Sequence, residues 1–190
     1  MFNYDETKAL AADGGNYLRE GGYYPNSTIT EATYLKGNEQ SSFVSFRALC
    51  NGQEVAFQIY TKQKNGQEHF QANKIQSLMG LKGIRATTTQ AVTVKSFGSD
   101  VEGFRINEFT NINIGLRLEK EEFYKLDGTV GYKFNILNFI GDNGKTITES
   151  LGGKEALTIT IPIKDKVVKT EANNGSSSSV PPLDDNDMPF

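Results

Sequence analysis

Asn51-Gly52 lies between two runs that alternate apolar and polar side chains, and no other stretch limits the possible folds of this chain so tightly. Both residues of an Asn-Gly pair tolerate positive φ, as a two-residue hairpin turn requires. Before the turn, Val44, Phe46, Ala48 and Cys50 share one face of a strand, and Phe43, Ser45, Arg47 and Leu49 the other. After it, Val55, Phe57 and Ile59 point one way, and Ala56, Gln58, Tyr60 and Lys62 the other. A hairpin with one inward and one outward face follows. The same turn chemistry recurs at Asn65-Gly66, Asp127-Gly128 and Asn143-Gly144, so the middle of the chain reads as β.

The β-branched run 27–35 predicts a strand before this hairpin. Over 69–81 the period changes: Phe70, Lys74, Ile75, Leu78 and Met79 recur at helical spacing until Gly80 and Gly83. Strands resume at Ala91–Phe97, Asn111–Glu119 and Val130–Phe139. In the last of these the apolar phase slips between Ile136 and Leu137, which predicts a bulge. Leu157–Ile163 alternates as well, and Pro162 would hold it to an edge. Residues 1–20 are an N-terminal extension with a short helix over Asp5–Ala12 as its one candidate element. Three strands, a helix and further strands is the order of a Greek-key barrel of the oligonucleotide-binding (OB) type, with a β-sandwich as the rival. The expected fold is therefore mainly β with one or two short helices, an OB-like domain over 21–168, and a disordered acidic tail over 169–190.

Charge is segregated along the chain. The whole carries −3, and 171–190 alone carries −4 from Glu171, Asp184, Asp185 and Asp187, which leaves +1 on the rest. Within 36–97, eight Lys/Arg oppose three Glu. A basic body with an anionic arm suits a polyanion-binding protein. The single cysteine, Cys50, excludes an internal disulfide, and no apolar run reaches the ~20 residues of a membrane span. Met1–Glu6 lacks the basic and apolar pattern of a leader, so a cytoplasmic protein with no membrane partner is expected.

Catalytic patterns are missing. One His and one Cys cannot build a His/Cys metal cluster, and neither a phosphate-binding Gly-rich loop nor a Gly-x-Ser-x-Gly elbow occurs. His69 reads as a solvent-facing residue at a helix start. Glu119, Glu121, Glu122 and Asp127 read as a solvated strand end rather than a metal-dependent nuclease site. The chain is expected not to be an enzyme and to need no cofactor.

The last residues, Asp184-Asp185-Asn186-Asp187-Met188-Pro189-Phe190, run from carboxylates to an apolar tip beyond a Gly-Ser-Pro stretch. This closely resembles the C-terminal docking peptide of bacterial and phage single-stranded DNA-binding proteins. Gly21-Gly22-Tyr23-Tyr24-Pro25, Gln71–Gly80 and Ile112–Lys120 resemble the phage-encoded members of that group, a likeness over roughly 20–140. The resemblance implies an OB fold that coats single-stranded DNA without sequence specificity in phage replication or recombination. It also implies that Asp184, Asp185, Asp187, Met188, Pro189 and Phe190 recruit replication or recombination proteins. A β-barrel protein–protein adaptor with the same tail and no nucleic-acid affinity is the alternative, and homo-oligomers fit either reading.

Sequence-tolerant binding of a single strand needs cations that follow phosphates and rings on which bases stack. The outward face of the central hairpin offers Phe43, Arg47, Tyr60 and Lys62, with Lys64 beyond. Phe43 and Tyr60 read equally well as cover for a hydrophobic flank or an oligomer contact. Further candidates are Lys74, Lys82 and Arg85 from the helix and the loop after it, and Lys95, Phe97 and Arg105 around a Gly-Ser-Asp loop. Tyr124 and Lys125 precede a hairpin turn, and Lys133 faces away from Tyr132 and Phe134.

Overall fold

In a computed structural model, residues 16–96 and 99–168 are described. Seven strands form one sheet: β1 (Gly22–Lys36), β2 (Ser42–Cys50), β3 (Gln53–Lys62), β4 (Thr89–Ser96), β5 (Ser99–Ile106), β6 (Ile112–Tyr124) and β7 (Val130–Ile140). Helix α1 (Ala72–Lys82) follows β3, and the short α2 (Ile147–Leu151) follows β7. The sheet order is β2-β3-β7-β6-β1-β5-β4, and β2 also pairs with β1. Five strands therefore close a ring, β1-β2-β3-β7-β6-β1, while β5 and β4 extend outward from β1 as a hairpin. Ring closure leaves β1, β2 and β6 with strands on both edges, while β3 and β7 face each other across the seam. The mainly β expectation holds.

Long, bent β1 makes the closure possible. Its first half pairs with β6 and its second with β2, and register shifts fall between Tyr24 and Ser27 and between Ile29 and Glu31. The first shift spans Pro25, which has no N–H to give a ladder. On the far part of the same edge, Thr33 and Tyr34 pair with Arg105 and Phe104 of β5. The predicted bulge is present: Arg117 pairs with Asn138 but Leu118 with Ile136, which leaves Leu137 without a cross-strand partner. The last contact of the ring, between β3 and β7, is parallel and reduced to one pair, Phe57 with Phe134.

The core fills the ring as the alternation predicts. Val44, Phe46, Ala48, Cys50, Val55, Phe57 and Ile59 are all buried. Phe46 stacks on Phe57 at 5.1 Å, and Phe139 meets both at 6.2 and 6.5 Å. Leu78 is the buried residue of α1, with Ile75 and Met79 packed beside it. Gly83, at φ 66°, ends the helix, and Ile84 N–H returns to the Met79 carbonyl. That is the left-handed cap that glycine favours.

Four expectations need correction. Only Asn51-Gly52 places both residues at positive φ (51° and 80°). In the other three turns the Gly alone is positive, and the Asn or Asp side chain instead accepts the N–H two residues on: Gln67, Thr129 and Lys145 at 3.0, 2.9 and 3.1 Å. Ser99 and Asp100, read as part of a Gly-Ser-Asp loop, begin β5, which runs over 99–106 in eight-residue register with β4. Phe70 does not belong to the buried stripe of the helix, which starts two residues later, and its side chain is 75% exposed. Leu157–Ile163 is not a strand. Thr158–Thr160 is a 3-10 turn whose Thr158 N–H and Oγ1 both donate to Glu149 Oε1 at 2.7 Å. That carboxylate takes the Thr158 N–H that a ladder would have used, and β6 and β1 already have strands on both edges.

Of the N-terminal extension, the described part packs on the barrel. Leu18 is buried and its N–H donates to the Glu54 carbonyl at 2.8 Å. The candidate helix Asp5–Ala12, Phe97, and the tail 169–190 lie outside the described residues. No helix among the described residues is long and apolar enough to cross a membrane.

Candidate nucleic-acid interface

A groove of about 870 Å³ runs over the sparse seam between β3 and β7. Where only one residue pair joins two strands, their outer faces splay, and side chains rather than backbone line the gap. Val55, Phe57 and Phe134 form its floor. Arg47 and Ser45 reach it from β2, Ala56, Gln58 and Tyr60 from β3, and Tyr132, Lys133 and Asn135 from β7. Tyr17 and Leu18 close one end and Gln71 the other. Glu31, the cross-strand neighbour of Arg47 on β1, and Glu54 line the groove too. Arg47 is exposed, and among the described residues no carboxylate lies within ion-pair distance of it.

Tyr132 is 43% exposed and held from several sides. Its ring meets the edge of Phe134 at 5.8 Å, Lys120 Nζ lies 5.1 Å from its centroid, and its hydroxyl donates to the Leu18 carbonyl at 3.4 Å. An exposed aromatic fixed in this way loses little freedom when a flat ligand stacks on it. Tyr132 also borders a second cleft of about 680 Å³ at the tip of the β6–β7 hairpin, beside Lys125 and Leu126.

Several predicted residues have other partners. Phe43 is buried and packs against Tyr60 at 5.6 Å, so it supports that ring and does not offer its own face. Lys74 Nζ donates to the Ile136 carbonyl, and burial pushes its pKa down against the pull of Glu119. Lys82 pairs with Asp142 at 3.2 Å. These two lysines fasten α1 to the barrel rather than pointing away from it. Lys133 lines the groove but is held by Glu121 at 3.5 Å.

The remaining candidates are dispersed. Lys62 is exposed at the end of β3, and Lys64 is half-buried in the turn after it. Arg85 is exposed in the loop after α1, and Lys95 is exposed on β4, which stands at the far end of the sheet order from β2 and β3. Arg105 is half-buried on β5, with Nε enclosed and unpartnered. Tyr124 and Lys125 are exposed at the β6–β7 tip. The structure thus brings Arg47, Tyr60 and Lys133 to one groove and leaves Arg85, Lys95, Arg105, Tyr124 and Lys125 off it.

The carboxylates of β6 are not a bare acidic cluster. Lys166 Nζ lies 2.9 Å from Glu119 and 3.7 Å from Glu121. Burial alone would raise the Glu121 pKa, but the Asn135 amide, Lys133 and Lys166 outweigh it and hold the pKa below the usual value. Among the described residues no group of His, Cys, Asp and Glu could hold a metal ion.

Sequence reasoning missed Tyr17, Tyr132 and the packing of an exposed Phe70 on His69. Tyr132 has the parity of buried Phe134 and Ile136, so alternation predicts a core residue. It is exposed because the hairpin runs beyond the barrel near its tip. No family model matches the chain, and neither a curated protein nor a solved structure matches it.

Proposed function

We propose that this chain is a single-stranded DNA-binding protein that coats its ligand without catalysis and holds it in the groove over β2, β3 and β7. The observation that carries the reading is the joint presence of Arg47, Tyr60, Tyr132 and Tyr17 around one open groove. An exposed cation outside ion-pair distance of any described carboxylate, together with several rings, matches what a sequence-tolerant single-strand binder needs. The five-strand ring in the order β1-β2-β3-β7-β6, with a helix after the third strand, supports an OB-type barrel. Such barrels bind oligonucleotides on the face of their second and third strands. The phage replication or recombination setting rests on the sequence resemblance. Recruitment of partner proteins by the acidic segment Asp184–Phe190 rests on its resemblance to the docking peptide of that group.

Ultraviolet cross-linking to a thymidine oligonucleotide, followed by peptide mass spectrometry, tests the location. Adducts on Tyr17, Tyr60 or Tyr132 are expected. Adducts confined to the β4–β5 hairpin would move the site and contradict the groove. A chain that takes up no oligonucleotide would leave the adaptor reading.

A further inference from the structure

Four rings follow one another from the barrel wall to the surface at the Gln71 end of the groove. Phe43 and Tyr60 have centroids 5.6 Å apart, Tyr60 and His69 5.6 Å, and His69 and Phe70 4.5 Å. Exposure rises along the row, from a buried Phe43 to Phe70 at 75%. The turn that carries the last two rings is pinned. His69 N–H donates to the Thr61 carbonyl at 3.0 Å, and Gln71 N–H donates to His69 Nδ1 at 3.2 Å. The Gln71 side chain in turn accepts from Tyr60 N–H at 3.1 Å. Because Nδ1 accepts, neutral His69 carries its proton on Nε2. Phe70 is thus a large apolar ring displayed outside the core by a backbone that is hydrogen-bonded to β3. It packs on an imidazole rather than lying loose.

We infer that Phe70 is a base-stacking residue, a subsite beyond the groove for the nucleotide that leaves it past Tyr60. This rests on the proposed single-strand binding. The chemistry fits a nucleobase: a flat apolar face at the mouth of a groove, with Lys62 exposed on the adjoining strand end. A ligand following the row would exchange solvent for the open face of Phe70, while His69 fixes the opposite side. The strand then runs from Tyr17 and Tyr132, across Arg47 and Tyr60, to Phe70.

The chain has no tryptophan, which makes the test direct. Phe70→Trp places the sole indole at the subsite, and a labelled oligo-dT reports binding independently by anisotropy. Indole quenching that saturates together with anisotropy is expected. With it, Phe70→Ala should bind about ten-fold more weakly at an unchanged thermal midpoint. Full binding by anisotropy with a silent indole, and an unweakened Phe70→Ala, would overturn the subsite and leave the groove standing. An indole signal that changes with protein concentration in the absence of DNA would make Phe70 a contact between copies, which also overturns it. No oligo-dT binding by the unaltered chain would remove the reading beneath it.

Discussion

Arg47 and Tyr132 come to one groove from β2 and β7, which are far apart in the sequence, and the proposed binding gives Arg47 a role that can be tested separately. Arg47 sits on the outward face of the central hairpin, opposite the buried Phe46 and Ala48, and although Glu31 is its cross-strand neighbour, no carboxylate among the described residues lies within ion-pair distance of it. A phosphate contact by such a residue adds to affinity whatever the base, and releases about one counterion. Arg47→Ala should therefore weaken binding to all oligonucleotides alike and make the salt dependence shallower by about one unit, read as the slope of log affinity against log salt. An unchanged slope would remove Arg47 from the phosphate path. The outward position of Arg47 follows from alternation alone, so it is legible in the sequence. The position of Tyr132 is not, because its exposure depends on how far the β6–β7 hairpin overhangs the barrel.

Among the elements, α2 and the segment after it show why a β-like pattern need not become a strand. Thr146 and Glu149 form a capping box, with Thr146 N–H and Oγ1 donating to Glu149 Oε2 at 2.8 and 3.0 Å. The other carboxylate oxygen takes both donors of Thr158. Arg117 on β6 donates to the Ile161 carbonyl at 2.7 Å and to Asn138 at 3.0 Å, and so holds the same segment from the other side. Burial works against the Glu149 charge, but these four hydrogen bonds prevail and bring its pKa down to about 2. A carboxylate depressed in the folded state stabilises fully above its unfolded value, ordinarily 4.5. That contribution is lost as pH falls toward about 2. Glu149→Gln should cost about 2–3 kcal/mol in denaturant unfolding at neutral pH, because an amide donor would face these donors. The variant should also lose less stability than the parent between pH 4.5 and 2. Equal losses in the two would show that Glu149 is not the group responsible.

The other element that the residues conceal is β5. Gly103 interrupts its β-propensity, yet a Cβ there would lie 2.6 Å from Leu35 Cδ2 and 2.9 Å from Thr33 Cγ2. The glycine lets β5 approach β1, a reason visible only once the two strands are side by side. Gly103→Ala should accordingly destabilise the protein by about 1–3 kcal/mol, measured by thermal or denaturant unfolding. Full stability in that variant would mean that β5 can withdraw from β1 without cost. By contrast, the β2–β3 hairpin, the helix after it and the bulge at Leu137 are written in local periodicity and turn residues. The sequence signal weakens where pairing partners are remote, as at the β3–β7 seam that opens the groove.

For the whole molecule, charge is segregated between the acidic segment and the rest of the chain. Residues 171–190 carry −4 against +1 on the rest, so the segment and a polyanion are attracted to the same cations. Deleting 171–190 should tighten oligo-dT binding at low salt and do so less as salt rises, because screening removes the difference. Equal affinities across the salt series would show that the segment does not compete. The central claim is simpler than this coupling: single strands bind, and duplex does not replace them. Fluorescence anisotropy of a labelled oligo-dT, over a salt series and with duplex of equal length as competitor, tests it directly. Binding that weakens steeply with salt and resists the duplex is expected; no binding at low salt, or displacement by duplex as readily as by unlabelled single strand, would refute single-strand binding.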